Sequence, residues 1–191
     1  MNMDCIKKKI NNYIKSNLSD KRKIHTEGVR VTAMKLAKKY GEDATKAEIA
    51  ALAHDMYRGV PVDELNDYVN QLGLDNKYLN NPNLAHGKIA AAIIQRDYGI
   101  NDEDIVNAVS FHTTGRAGMS KLEKIIYLAD AIEPNRDYPS VDLLRDAAWE
   151  SLDKALMISL ERTIEYVRKQ GNFLDEDTLK ARDYYLKGEN R

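Results

Sequence analysis

Apolar side chains return every three or four positions along nearly the whole chain, and no segment alternates convincingly at every second position. That spacing paints one face of a helix and argues against half-buried strands, so the chain is expected to be all-α. At 191 residues it is long enough to bury a real core and short enough for one domain. No repeat and no low-complexity stretch interrupts it.

The helix boundaries follow from capping residues and breakers. A first helix is expected over Met3 to Asn17, with Ile6, Ile10, Tyr13 and Ile14 on one face. Ser19 is the expected N-cap of a second helix through Tyr40, closed by Gly41, and His25 lies in its second turn. A third begins near Asp43 or Thr45 and runs to Gly59-Val60-Pro61. Further helices are expected over Val62 to Leu72, Leu84 to Tyr98, Asn101 to about His112, and from the Ser120 cap to Asp130, with Asp75 to Asn83 read as a loop. From Ser140 to Leu186 the spacing predicts more amphipathic helices that bury Trp149, Leu152, Leu156, Leu160, Ile164 and Val167.

The third helix ends in a chemical oddity. Ile49-Ala50-Ala51-Leu52-Ala53 is an apolar face that stops abruptly at His54-Asp55. An ionised carboxylate beside hydrocarbon is expensive unless a cation or strong donors compensate. The apolar run Ile125 to Ala129 ends the same way, at Asp130. Taken singly, each residue has an ordinary explanation: Asp55 could pair with Arg58, Asp130 with Arg136, and His25 or His86 could be a surface or hydrogen-bonded histidine. Two aspartates ending two apolar helices would need two separate excuses, whereas one shared metal site explains both. A mixed imidazole and carboxylate set suits a transition metal, and one carboxylate has two oxygens with which to bridge two ions.

Composition narrows the partners. The 29 basic and 30 acidic residues leave a formal charge of −1, so no global field draws the chain to nucleic acid or an anionic membrane. The clusters Lys7-Lys8-Lys9 and Lys21-Arg22-Lys23 are read as solvated helix faces. A lone cysteine, Cys5, suits a reducing compartment, and the first residues hold no apolar run of signal-peptide length. A cytoplasmic, soluble protein is expected.

The order His25, then His54-Asp55, then Asp130 resembles the HD-domain metal-dependent phosphohydrolases, an all-α superfamily. His86-Gly87 and His112-Thr113-Thr114-Gly115 look like its binuclear members. More narrowly, HTTGRAGMSKLEKIIYLADAIEPNRDYP, from His112 to Pro139, is very similar to the YqeK branch of symmetrical diadenosine tetraphosphate hydrolases. The likeness covers about residues 20–140, which implies one HD-type helical bundle over 1–191 with a C-terminal helical extension over about 141–191. It implies one ion on His25, His54, Asp55 and Asp130, and a second on Asp55, His86 and His112. The same resemblance implies iron, with manganese or zinc as alternatives. Arg58 stands where the family often has lysine, exchanging a point charge for a planar fork.

Two cations roughly 3.5 to 4 Å apart can activate water at neutral pH and clamp phosphoryl oxygens, so no serine or cysteine nucleophile is required. Asp55 with Arg58, Arg116 and Arg136 forms the expected catalytic set, and Arg58, Lys88, Thr113, Thr114, Arg116 and Arg136 are the expected contacts to the polyphosphate. The expected reaction is cleavage of a dinucleoside tetraphosphate at its central anhydride, giving two nucleoside diphosphates. A phosphohydrolase for a nucleoside monophosphate or guanosine alarmone, and a non-catalytic nucleotide-binding module, stay open as other readings. A homodimer also stays open.

Overall fold

Ser19, Asp43, Asp102 and Ser120 each turn a side-chain oxygen onto the first free amides of a following helix, and these four caps set the framework. The computed structural model describes residues 3–189, so the ends of the expected 1–191 unit lie outside the described residues. In chain order the helices are α1 (Met3–Asn17), α2 (Asp20–Tyr40), α3 (Ala44–Ala53), α4 (Val62–Gln71), α5 (Pro82–Arg96), α6 (Glu103–Phe111), α7 (Lys121–Ile132), α8 (Val141–Glu150), α9 (Leu152–Lys169) and α10 (Glu176–Glu189). Among the described residues there is no strand, as the spacing predicts. Among the described residues, no helix is long and apolar enough to cross a membrane.

The centre of the bundle is α3, which touches α1, α2, α5, α6 and α7. Its Ala47, Ile49, Ala50, Ala51, Leu52 and Ala53 are all buried. Alanine lets neighbouring helices approach closely from several sides at once. The C-terminal helices extend the same apolar core: α9 packs on α7, α8 lies against both, and α10 closes on α9.

Several boundaries differ from expectation. The stretch Asp75 to Asn83 is not all loop, because Asn76–Tyr78 forms a 3-10 turn and α5 starts at Pro82, a residue suited to a first helical turn. Helix α5 ends at Arg96 rather than Tyr98, and α6 is capped by Asp102, one residue past Asn101. Trp149 is 40 % exposed, because α8 buries Val141, Leu144, Ala147 and Ala148 and the next residue turns away by about 100°. Val167 is half-buried and lines a cavity instead of the core.

Candidate metal centre

Five of the ten helices among the described residues deliver one cluster of side chains. His25 comes from the second turn of α2, His54 and Asp55 from just past α3, His86 from α5, His112 from the end of α6 and Asp130 from α7. Their donor atoms form two groups, His25 with His54 and Asp130, and Asp55 with His86 and His112, each within 4.8 Å. Asp55 faces both. Its Oδ2 lies 3.6 Å from His54 Nε2 and 3.7 Å from His25 Nε2, while Oδ1 lies 3.1 Å from His86 Nε2 and 3.8 Å from His112 Nε2. The six residues read from the sequence as ligands therefore meet in space.

Each imidazole is oriented from behind. His54 Nδ1 donates to the carbonyl of Ala51 at 2.6 Å, and His112 Nδ1 donates to that of Val109 at 2.7 Å. Both carbonyls belong to last turns, where a helix leaves oxygens free. His86 Nδ1 donates to the Pro82 carbonyl at 3.0 Å. His25 is the exception, since its Nδ1 donates to the Glu133 carboxylate at 3.1 Å. All four rings thus aim an Nε2 lone pair at the centre, the arrangement that metal-ligating histidines adopt.

The donor set fits metal on this geometry. With Nδ1 protonated, the Nε2 atoms of His86 and His112 present lone pairs to each other at 3.0 Å, beside Asp55 Oδ1, and a cation relieves that opposition. Nε2 of His54 is buried without a hydrogen-bond partner, a state that interiors rarely leave unexplained, and Nε2 of His25 faces the carboxylates of Asp130 at 3.0 Å and Asp55 at 3.7 Å. Burial, reinforced by the neighbouring histidines, pushes His112 down to about 3, and burial also lowers His54. These two stay neutral, as ligands must. Burial alone would raise the Asp55 carboxyl, yet the surrounding histidines hold it well below the usual range.

Two glycines leave room for this packing. A Cβ on Gly87 would meet His112 Cε1 at 2.9 Å and the Val109 carbonyl at 3.1 Å. A Cβ on Gly28 would collide with Glu133 Oε2.

The cluster opens on a cavity of about 720 Å3. Arg58, Arg136, Thr113 and Thr114 line it, with Asp55, His86, His112 and Asp130. Arg136 Nε donates to the Asp130 carbonyl at 2.7 Å and its Nη2 to the Asp130 carboxylate, so that pairing coexists with the cluster. Arg58 Nη1 comes within 3.4 Å of His86 Nδ1. The remaining two basic residues are elsewhere. Arg116 makes a two-pronged contact with buried Glu123, at 2.7 Å on both arms, and that glutamate also closes the Ser120 capping box. Lys88 turns to Ser110 Oγ at 3.1 Å and over the Phe111 ring.

Sequence reasoning missed two residues. Arg22 lines the cavity and its Nη1 donates to Asp55 Oδ2 at 2.8 Å, in the role expected of Arg58. Glu133 orients His25. Helical spacing was the available signal, because Arg22 precedes His25 by three and Glu133 follows Asp130 by three.

Comparison with known proteins agrees with this geometry. The family model described as HD domain matches residues 22–135. The chain is 40 % identical over 176 residues to a symmetrical bis(5'-nucleosyl)-tetraphosphatase of Bacillus subtilis (strain 168), covering 92 % of this chain and 95 % of that one. It is 41 % identical over 167 residues to the protein of the same name from Halalkalibacterium halodurans, covering 87 % and 89 %. Among solved structures it resembles a predicted HD superfamily hydrolase involved in NAD metabolism from Clostridium acetobutylicum, with a TM-score of 0.89 and 44 % identity over 94 % of this chain and 96 % of that one.

Proposed function

The chain belongs to the HD domain family, and from that premise we propose that it is a metal-dependent hydrolase splitting dinucleoside tetraphosphates at the central anhydride. Diadenosine tetraphosphate would yield two ADP. The observation that carries hydrolysis is Asp55, with one oxygen toward each group of histidines. Support for the particular bond comes from the relatives, two of which bear the name symmetrical tetraphosphatase and match along about nine-tenths of the chain.

His25, His54, Asp55 and Asp130 would hold one ion, and Asp55, His86 and His112 the other. When bound, such a pair acidifies water and neutralises phosphoryl oxygens. We take iron as the first candidate, then manganese or zinc. Water adds its oxygen to one of the two central phosphorus atoms, the bond from that phosphorus to the bridging oxygen breaks, the second nucleoside diphosphate departs with the bridging oxygen, and the proton of the attacking water passes to solvent. Arg58 and Arg136 stand on the cavity wall as partners for phosphoryl oxygens, with Thr113 and Thr114 as hydroxyl donors. Arg22 joins them as its bond to Asp55 is given up to the substrate. Arg116 and Lys88 have structural duties in this reading: one secures the cap of α7 and the other lies over the Phe111 ring. The partner is a small nucleotide rather than nucleic acid, and the setting is the cytoplasm, where exposed Cys5 stays reduced.

Product analysis tests the proposal. Metal-loaded protein incubated with diadenosine tetraphosphate is expected to release ADP as the sole nucleotide product. AMP with ATP, or no turnover, overturns the assignment.

A further inference from the structure

The wall that the C-terminal helices give to the cavity is unlike its floor. Tyr166 on α9 and Phe173 in the turn before α10 both line the cavity, and they are 63 % and 58 % exposed. We propose that Tyr166 and Phe173 form a stacking platform for a nucleobase of the substrate. The proposal rests on the reading that the substrate is a nucleotide, and it adds the part of the molecule that recognises the base.

A nucleotide carries two chemistries on one small body, a highly charged phosphate chain and a flat aromatic ring. The cavity carries their complements. Arginines and metal ligands face the first, and two exposed aromatic rings with Val167 and Leu174 face the second. Large aromatic surface left in water inside a concave site gains most when a flat ligand covers it. Other large exposed apolar residues, Ile24, Leu143 and Tyr184, lie off the cavity wall.

The platform is anchored behind its free rings. Two residues beyond Phe173, the buried carboxylate of Asp175 takes Lys77 Nζ at 3.2 Å on Oδ1 and 3.0 Å on Oδ2. Asp175 Oδ1 also accepts the Asp177 amide at 2.8 Å, at the first turn of α10. Lys77 belongs to the 3-10 turn before α5, so the segment bearing Phe173 is fastened to the side of the site that supplies His86. A ring held on a fixed backbone loses little freedom when a base stacks on it.

Calorimetry on the metal-loaded protein separates the two halves of the ligand, with ADP and pyrophosphate as probes. Tyr166→Ala and Phe173→Ala are each expected to weaken ADP about tenfold, the scale of one base on one ring, and to leave pyrophosphate affinity in place. The corresponding kinetic effect falls on KM for diadenosine tetraphosphate, and Phe173→Trp retains ADP affinity. Because both rings are exposed, circular dichroism and Tm are expected to match the parent protein. Unchanged ADP affinity in both alanine variants overturns the platform, as does a parent protein that binds ADP no tighter than pyrophosphate. If the parent protein fails to cleave diadenosine tetraphosphate, the assigned reaction falls while the ADP and pyrophosphate pair still decides the platform.

Discussion

The two halves of the ligand cluster are built from different materials. Around His86 and His112 the orienting oxygens are backbone carbonyls, Pro82 and Val109, and the only carboxylate in the group is Asp55. Around His25 the orienting oxygen is a carboxylate, Glu133, and a second carboxylate, Asp130, lies 3.0 Å from Nε2. Burial works against a charged His25, but the bonds to Asp130 and Glu133 outweigh it and raise its pKa, whereas His112 sits at about 3. One half is therefore an acidic pocket that attracts any cation, the proton included. In the other half, burial and the neighbouring histidines make His112 refuse the proton. His54 sides with the second kind, through its Ala51 carbonyl, although it stands in the first group.

The most severe way to break this contrast is to remove what the halves share. Asp55→Ala is expected to empty both sites together and cut turnover by a factor on the order of 1,000 or more, since the charge stabilisation that two ions supply is lost. Metal content per chain checks it, and full metal with full turnover would sink the bridging role. Next comes Glu133→Gln, which removes the charge behind His25 alone. Loss of an orienting carboxylate typically costs about 10- to 100-fold in metal affinity. Elemental analysis is expected to show the deficit as one ion per chain, and a deficit of two would erase the distinction between the halves.

A third test acts on the carbonyl-oriented half through packing. Gly87→Ala drives a methyl into His112 and the Val109 carbonyl, which belongs to backbone and yields poorly. Overpacking of this sort costs about 1 to 3 kcal/mol, read as a lower Tm of the ion-free chain, and the second ion is expected to bind more weakly. An unchanged Tm shows that α5 and α6 can part at no cost.

The smallest expected effect is a separation in pH. The raised pKa of His25 lets protons compete with its metal first as the solution is acidified, whereas His112, near 3, does not take up a proton until far lower pH. Metal should leave in two steps, the His25 side first, as followed by dialysis at stepped pH and elemental analysis. The ion-free chain carries the opposite signs. The depressed His112 contributes stability that is present above the unfolded value of 6.5 and lost as pH falls toward 3. The raised His25 contributes stability that is present below 6.5 and lost as pH rises through its folded value. A single release step would mean that the two halves titrate as one.

The features legible in the sequence were those written in short range. Caps at Ser19 and Ser120, the αL glycine at position 41 and the apolar runs ending in Asp55 and Asp130 all announce themselves within a turn or two. The side chains that gather at the centre of the bundle were legible as well, because carboxylates that close two apolar runs have few explanations. The orienting residues were hidden by distance. Glu133 meets His25 across 108 positions and Arg22 meets Asp55 across 33, and periodicity fixes a helix face without fixing which face it meets. Arg116 looks available in the sequence, whereas in the fold Glu123, seven residues on, takes both arms of its fork. Trp149 shows that an aromatic at nearly the right spacing can still miss the core by one position.

The alanine-rich α3 has a consequence in time as well as in space. Its six buried residues are surrounded by five other helices, and the amide of His54 is bonded to the carbonyl of Ala50 at 3.0 Å. Amides in such a position trade hydrogen for deuterium only when the whole fold opens, so their exchange rates report the global unfolding free energy. Among the described residues, those that hold the chemistry are expected to be among the last to give up their amide protons to heavy water.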